Sequence, residues 1–175
     1  MQSFKIYKNL ACLNKLNVNE AESVFRDCCG SRAWARRMAE SRPFLMIESL
    51  YQRADTIWYS LSASDYLEAF GAHPVIGAKY TSSNKRSQFA EWSSGEQSGM
   101  DAAGDAVRDD LAEANRLYLA KFGFIFIVCA TGRSADEMLA ICRARLGNSL
   151  ETEMKIAAEE QRKITEIRLN NLLEK

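Results

Sequence analysis

A chain of 175 residues with 47% apolar and 26% charged side chains can bury a core of its own and is too apolar to be disordered. Its 23 basic side chains are balanced by 23 acidic ones, so no net field draws it to nucleic acid or to an anionic membrane surface. The longest apolar run, FIFIVCA, is about seven residues, against the ~20 a spanning helix needs, and no membrane span is expected.

The first convincing helical pattern starts at about Asn19. Residues 1–18 are therefore read as an N-terminal extension, and residues 19–175 as one helical domain. The extension is mildly basic but has neither the apolar centre nor the cleavage site of a secretory leader, so secretion is not expected. From Asn19 to about Glu40, Val24, Cys28, Ala35 and Met38 mark an inward face, with Gly30 as a candidate break. Pro43 restarts the chain, and Ile47, Leu50, Ala54, Ile57 and Leu61 then alternate at spacings of three and four, a core-facing stripe. Ser64 is a suitable N-cap for a short helix carrying Tyr66, Leu67 and Phe70, which ends at Gly71 with Pro74 close behind.

The polar stretch 77–94 reads as a surface loop with a helical turn near Gln88–Trp92. A long helix from about Gly95 to Lys121 sets Ala103, Val107, Leu111, Ala114, Leu117 and Tyr118 along one side. The string FGFIFIVCA has the composition of a strand, but the sequence offers no second strand to pair with it, so a buried extended connector is expected. Ser134 caps a helix to about Leu146, and Ser149 or Leu150 opens a final helix to Leu173. No repeat, linker or composition shift intervenes. The expected fold is all-α, a single compact multi-helix bundle of about six to eight helices.

Three places carry chemistry. His73 is the single histidine, in AFGAHPVIG, and imidazole is the side chain that trades a proton readily near neutral pH. Pro74 restricts His73 to an extended backbone, which suits a catalytic group on a stiff mount and suits an ordinary helix stop equally. In WSSGEQSG, Ser93 with Glu96, and Ser94 with Gln97, have capping-box spacing; the same helix start could also hold a carboxylate or urea oxygen. On the last helix, at 100° per residue, Ile156, Ile167, Ile164, Ala157 and Leu172 share an arc of about 160°. Arg168 falls inside that arc and Gln161 beside it, whereas Lys155, Arg162 and Lys163 fall outside. An inward arginine must pair with an acid, snorkel or bind an anion.

Five cysteines (Cys12, Cys28, Cys29, Cys129, Cys142) form an odd set with no CxxC spacing. Cys129 and Cys142 read as small core side chains in a reducing compartment, and one histidine with scattered thiols offers no metal-ligand spacing, so no metal is expected. Nucleotide loops, serine-hydrolase elbows, HExxH and EF-hand patterns are lacking. Chemistry would then run on a histidine, a carboxylate and a guanidinium.

AFGAHPVIG, WSSGEQSG, KFGFIFIVCATGRS and EEQRKITEIRLNNLL, in that order and spacing, resemble the 2-oxo-4-hydroxy-4-carboxy-5-ureidoimidazoline (OHCU) decarboxylases of urate degradation. The resemblance runs from about Asn19 to Leu173. Its details are nearest to the plant form, in which the domain is fused to a transthyretin-like hydroxyisourate hydrolase.

The resemblance implies an all-α homodimer that decarboxylates its ureidoimidazoline to (S)-allantoin with no cofactor. It places the essential histidine at His73, its acidic partner at Glu96 and an arginine at Arg168. Substrate contacts fall on Pro74, Ser93, Gln97 and the apolar string Phe126, Ile127, Val128, Cys129 and Ala130. The loop between His73 and Glu96 is longer than in the animal proteins, so nothing carries over within Lys79–Ala90. The chain ends at Lys175 without the hydrolase, which suggests a stand-alone relative or an excised domain. Family resemblance implies peroxisomes, while the ending LLEK, unlike an SKL-type address, leaves the cytosol open. The competing reading is a non-catalytic helical interaction module, for which Trp34 and Trp92 are expected on the surface.

Overall fold

The computed structural model describes residues 2–75 and 104–174, and among these every regular element is an α-helix. The expected all-α fold holds. The sequence marks no element before Asn19, yet the chain opens with α1 (Gln2–Lys15), which buries Leu10 and Leu13. Arg42 closes the end of α1 by donating to the carbonyls of Leu13 and Leu16 at 2.8 and 2.7 Å, groups that a helix terminus leaves without partners.

Asn17 and Glu20 form a capping box that starts α2 (Val18–Cys29). Gly30 ends it: at φ 89° a side chain would be strained, and the glycine N–H returns to the carbonyl of Arg26. Ser31 then accepts from the N–H of Trp34 and begins α3 (Arg32–Glu40). The candidate break at Gly30 is therefore real. Next, α4 (Ile47–Tyr59) buries Leu50, Ala54, Ile57 and Trp58, while Leu61 lies beyond its end and is only half-buried.

Trp34 corrects an expectation. It is fully buried rather than exposed: its indole N–H donates to the carbonyl of Ala54 at 3.0 Å, tying α3 to α4. Its ring meets Phe25 edge-on at 6.0 Å, and Phe25 meets Phe44 the same way. Trp92, the other tryptophan of that reading, lies outside the described residues.

By internal contacts the chain divides into two compact units, Met1–Ala69 with Arg162–Lys175, and Phe70–Gln161. The divisions fall within α5 (Ala63–Gly71) and within α8 (Leu150–Glu174). In the first unit, Asn9 donates to the carbonyl of Leu173 at 2.7 Å, and Asn14 exchanges two hydrogen bonds with the backbone of Phe44.

The second unit is built on α6 (Asp105–Phe122) and α7 (Ala135–Arg145). Leu111, Ala114, Tyr118 and Phe122 form the inward face of α6, at spacings of three and four. Leu117 is 43% exposed, against expectation: one residue before Tyr118, it is turned about 100° off that face. The expected start of this helix at Gly95, with Ala103, lies outside the described residues, as do the 77–94 loop and the Gln88–Trp92 turn. Gly123, left-handed at φ 78°, stops α6, and the capping box of Ser134 and Glu137 starts α7.

Between α6 and α7 runs the extended connector, with no β-ladder among the described residues. Its buried backbone groups still need partners, and side chains supply them. Arg145 donates to the carbonyl of Ile127 at 2.8 Å, Glu160 accepts the N–H of Cys129 at 2.7 Å, and Arg133 donates to the carbonyl of Cys129 at 3.0 Å. Arg145 is itself held: its guanidinium lies over Phe126 at 4.8 Å and pairs with the fully buried Glu153 at 2.5 Å. Glu153 also accepts from the Tyr118 hydroxyl and from Asn148.

Candidate active site

The mount of His73 follows from the end of α5. Phe70 is fully buried and packs against Phe124 at 5.3 Å, which anchors the last turn. Three residues on, the His73 N–H donates to the carbonyl of Phe70 at 3.1 Å, so the backbone closes tightly before Pro74. The imidazole is half-buried, and its Nε2 lies 2.7 Å from Oε1 of Gln161. Gln161 is fully buried on α8. An amide oxygen can only accept, so this contact suits the ring tautomer that carries its proton on Nε2.

Glu160, next to Gln161, is the carboxylate that takes the Cys129 N–H. Two consecutive residues of one helix thus engage the histidine and the apolar string within a single unit. In that string Phe126, Ile127, Val128 and Ala130 are buried and Cys129 is half-buried. The carbonyl of Ala130 accepts from the N–H of Arg133 at 3.0 Å, so the string's backbone is held at Ile127, Cys129 and Ala130.

Arg168 belongs to the other unit, where it is fully buried, as the helical wheel places it. Burial pushes the Asp27 carboxyl above its ordinary range, and the positive charge of Arg168 works against that shift. The same guanidinium acts on the two adjacent thiols. Burial raises Cys28 and takes Cys29 up to about 12, opposed in both cases by Arg168. Pro74 is half-buried. Ser93, Glu96 and Gln97 lie outside the described residues. Among the described residues no three His, Cys, Asp or Glu side chains gather as metal ligands.

Sequence reasoning missed two members of the site. Gln161 sits within the apolar arc on the wheel, next to Arg168, a polar side chain on an inward face, and that was a usable signal. Glu160 had none: its role depends on a backbone N–H 31 residues away.

Comparisons with known proteins bear on this geometry. A model of the OHCU decarboxylase family matches residues 14–170. The chain is 44% identical over 153 residues to the uric acid degradation bifunctional protein TTL of Arabidopsis thaliana, covering 86% of this chain and 47% of that protein. It is 36% identical over 137 residues to a 2-oxo-4-hydroxy-4-carboxy-5-ureidoimidazoline decarboxylase of Amia calva, covering 76% of this chain and 75% of that one. Against a crystal structure of OHCU decarboxylase in the presence of (S)-allantoin, the TM-score is 0.75 at 37% identity, over 87% of this chain and 99% of the other. The chain spans about half the length of the plant bifunctional protein it matches.

Proposed function

The chain belongs to the OHCU decarboxylase family, and from that membership we propose that it converts 2-oxo-4-hydroxy-4-carboxy-5-ureidoimidazoline to (S)-allantoin in urate breakdown. The observation that carries this reading is the hydrogen bond between the chain's single imidazole and a fully buried amide, on a mount closed by Phe70 and Pro74. The interaction-module reading loses support with the burial of Trp34.

Loss of carbon dioxide breaks a carbon–carbon bond and leaves its electron pair on the former carboxylate carbon, delocalised into the ring. That pair moves into the bond to the neighbouring ureido-bearing carbon. The hydroxyl on the former carboxylate carbon loses its proton and becomes the carbonyl of allantoin, while the ureido-bearing carbon takes a proton from one face. His73 governs this transfer, and delivery from one side gives one enantiomer. By resemblance, Glu96 accepts a hydrogen bond from the substrate hydroxyl or from His73, and Gln97 and Ser93 read the ureido and ring amides. Pro74 and the string Phe126–Ala130 shape the site around them. Arg168 binds a substrate oxygen by parallel hydrogen bonds. That oxygen is not on the leaving carboxylate, because a cation clamped there stabilises the ground state and opposes decarboxylation.

The same reading makes residues 19–175 the catalytic domain behind the 1–18 extension. The protein acts as a homodimer without metal or organic cofactor, in peroxisomes, in step with a transthyretin-like hydroxyisourate hydrolase that supplies its substrate. No helix among the described residues is long and apolar enough to cross a membrane. The test is turnover: with substrate made in place from urate, the chain must speed the formation of optically active allantoin above the slow racemic background.

A further inference from the structure

We infer that Gln161 is the positioning residue of His73: it holds the imidazole with its proton on Nε2, so that Nδ1 is the nitrogen that exchanges a proton with substrate. This rests on the decarboxylase reading above and adds to it a residue and an atom. The geometry is local to one unit. Gln161 Oε1 lies 2.7 Å from His73 Nε2, the amide is fully buried, and the histidine backbone is closed onto Phe70 at 3.1 Å.

A buried amide oxygen accepts whether the ring is neutral or cationic, so Nε2–H stays engaged throughout a proton-transfer cycle. In the neutral ring the lone pair is then on Nδ1. In the cation Nδ1–H is the proton that can leave while the ring keeps its orientation. The neighbouring carboxylate of this helix, Glu160, accepts the Cys129 N–H. An acceptor that fixes one ring nitrogen and so defines the other is a recurring way to set an imidazole's chemistry.

The experiment uses the full chain and two variants, Gln161→Met and Gln161→Glu. Because the chain holds one histidine, a long-range nitrogen–proton spectrum of the labelled protein shows a single imidazole. In the wild type at a pH where the ring is neutral, Nε2 should give the protonated pattern and Nδ1 the lone-pair pattern. Gln161→Met keeps length and removes the accepting oxygen. It should release the ring into mixed tautomers and lower kcat by about 10–100-fold, as when a partner orienting a metal-bound imidazole is removed, with KM little changed. Gln161→Glu retains an accepting oxygen and should restore both the Nε2–H pattern and most of the rate.

The inference is overturned if the proton is on Nδ1 in the wild type, or if Gln161→Met keeps the wild-type pattern and kcat. It is also overturned if Gln161→Glu fails to restore either. Should Gln161→Met not fold, the wild-type spectrum and Gln161→Glu still decide. A wild-type chain without turnover would sink the decarboxylase reading alone, because the spectrum reports on Gln161 independently.

Discussion

The guanidinium of Arg145 and the carboxylate of Glu153 form an ion pair at 2.5 Å in which the carboxylate is wholly removed from solvent. Together they hold the connector: Arg145 satisfies the carbonyl of Ile127 and covers Phe126, and Glu153 keeps that guanidinium neutralised. Removing one partner strands the other charge. Arg145→Met or Glu153→Leu should each cost about 3–5 kcal/mol in urea unfolding, and the two combined should cost far less than their sum. Additive losses would mean that the pair is not coupled.

Trp34 should behave as a core residue. Trp34→Phe removes the indole donor of Ala54 and leaves a small cavity beside Phe25, at a cost of about 1–3 kcal/mol. A neutral result in thermal or urea unfolding would return Trp34 to the surface.

The thiols predict an alkaline limb of stability. Burial pushes Cys29 up to about 12 and Cys142 up to about 11 from an ordinary 9.0, and it raises Cys28 as well. Unfolded thiols ionise near pH 9 while the folded ones stay protonated, so the unfolded chain sheds its protons first. Stability is therefore full below about pH 9 and is lost as pH rises toward 11–12. The urea midpoint should fall across that window, and Cys29→Ala should flatten the fall. Below pH 9 a thiol reagent should label exposed Cys12 quickly and reach Cys28, Cys29 and Cys142 only on unfolding.

Glu96 could cap a helix, assist the reaction or do both. Glu96→Gln conserves shape and keeps an accepting oxygen, so it separates the roles: turnover should drop at least tenfold while the unfolding midpoint stays within about 0.5 kcal/mol of wild type. Full activity in this variant would leave capping as its whole purpose. A chelator should leave the wild-type rate unchanged.

How much of this was legible beforehand varies with the range of the interaction. Helix ends written in local chemistry were readable: the stop at Gly30, the cap at Ser134 and the final start at Ser149 or Leu150 all lie where the sequence places them. The inward placement of Arg168 and Gln161 followed from 3.6-residue periodicity. The helix over Gln2–Lys15 went unread although half of its residues are apolar; its terminus carries no local stop and is closed by Arg42, far along the chain. The connector could be named as buried and extended, but its partners Arg145, Glu160 and Arg133 come from elements whose packing no spacing rule reports. The same gap hid Glu153 and Glu160, carboxylates that a polarity pattern assigns to solvent.

The central claim is that His73 delivers or withdraws the proton that makes allantoin in one hand. The most direct measurement supplies urate, urate oxidase and hydroxyisourate hydrolase, and follows circular dichroism on adding wild type or His73→Asn. Wild type should produce the (S)-allantoin signal promptly; His73→Asn, with an unchanged unfolding midpoint, should be slower by about 10²–10⁴-fold. A His73→Asn chain that matches wild type, or a wild type that leaves the product racemic, would contradict it.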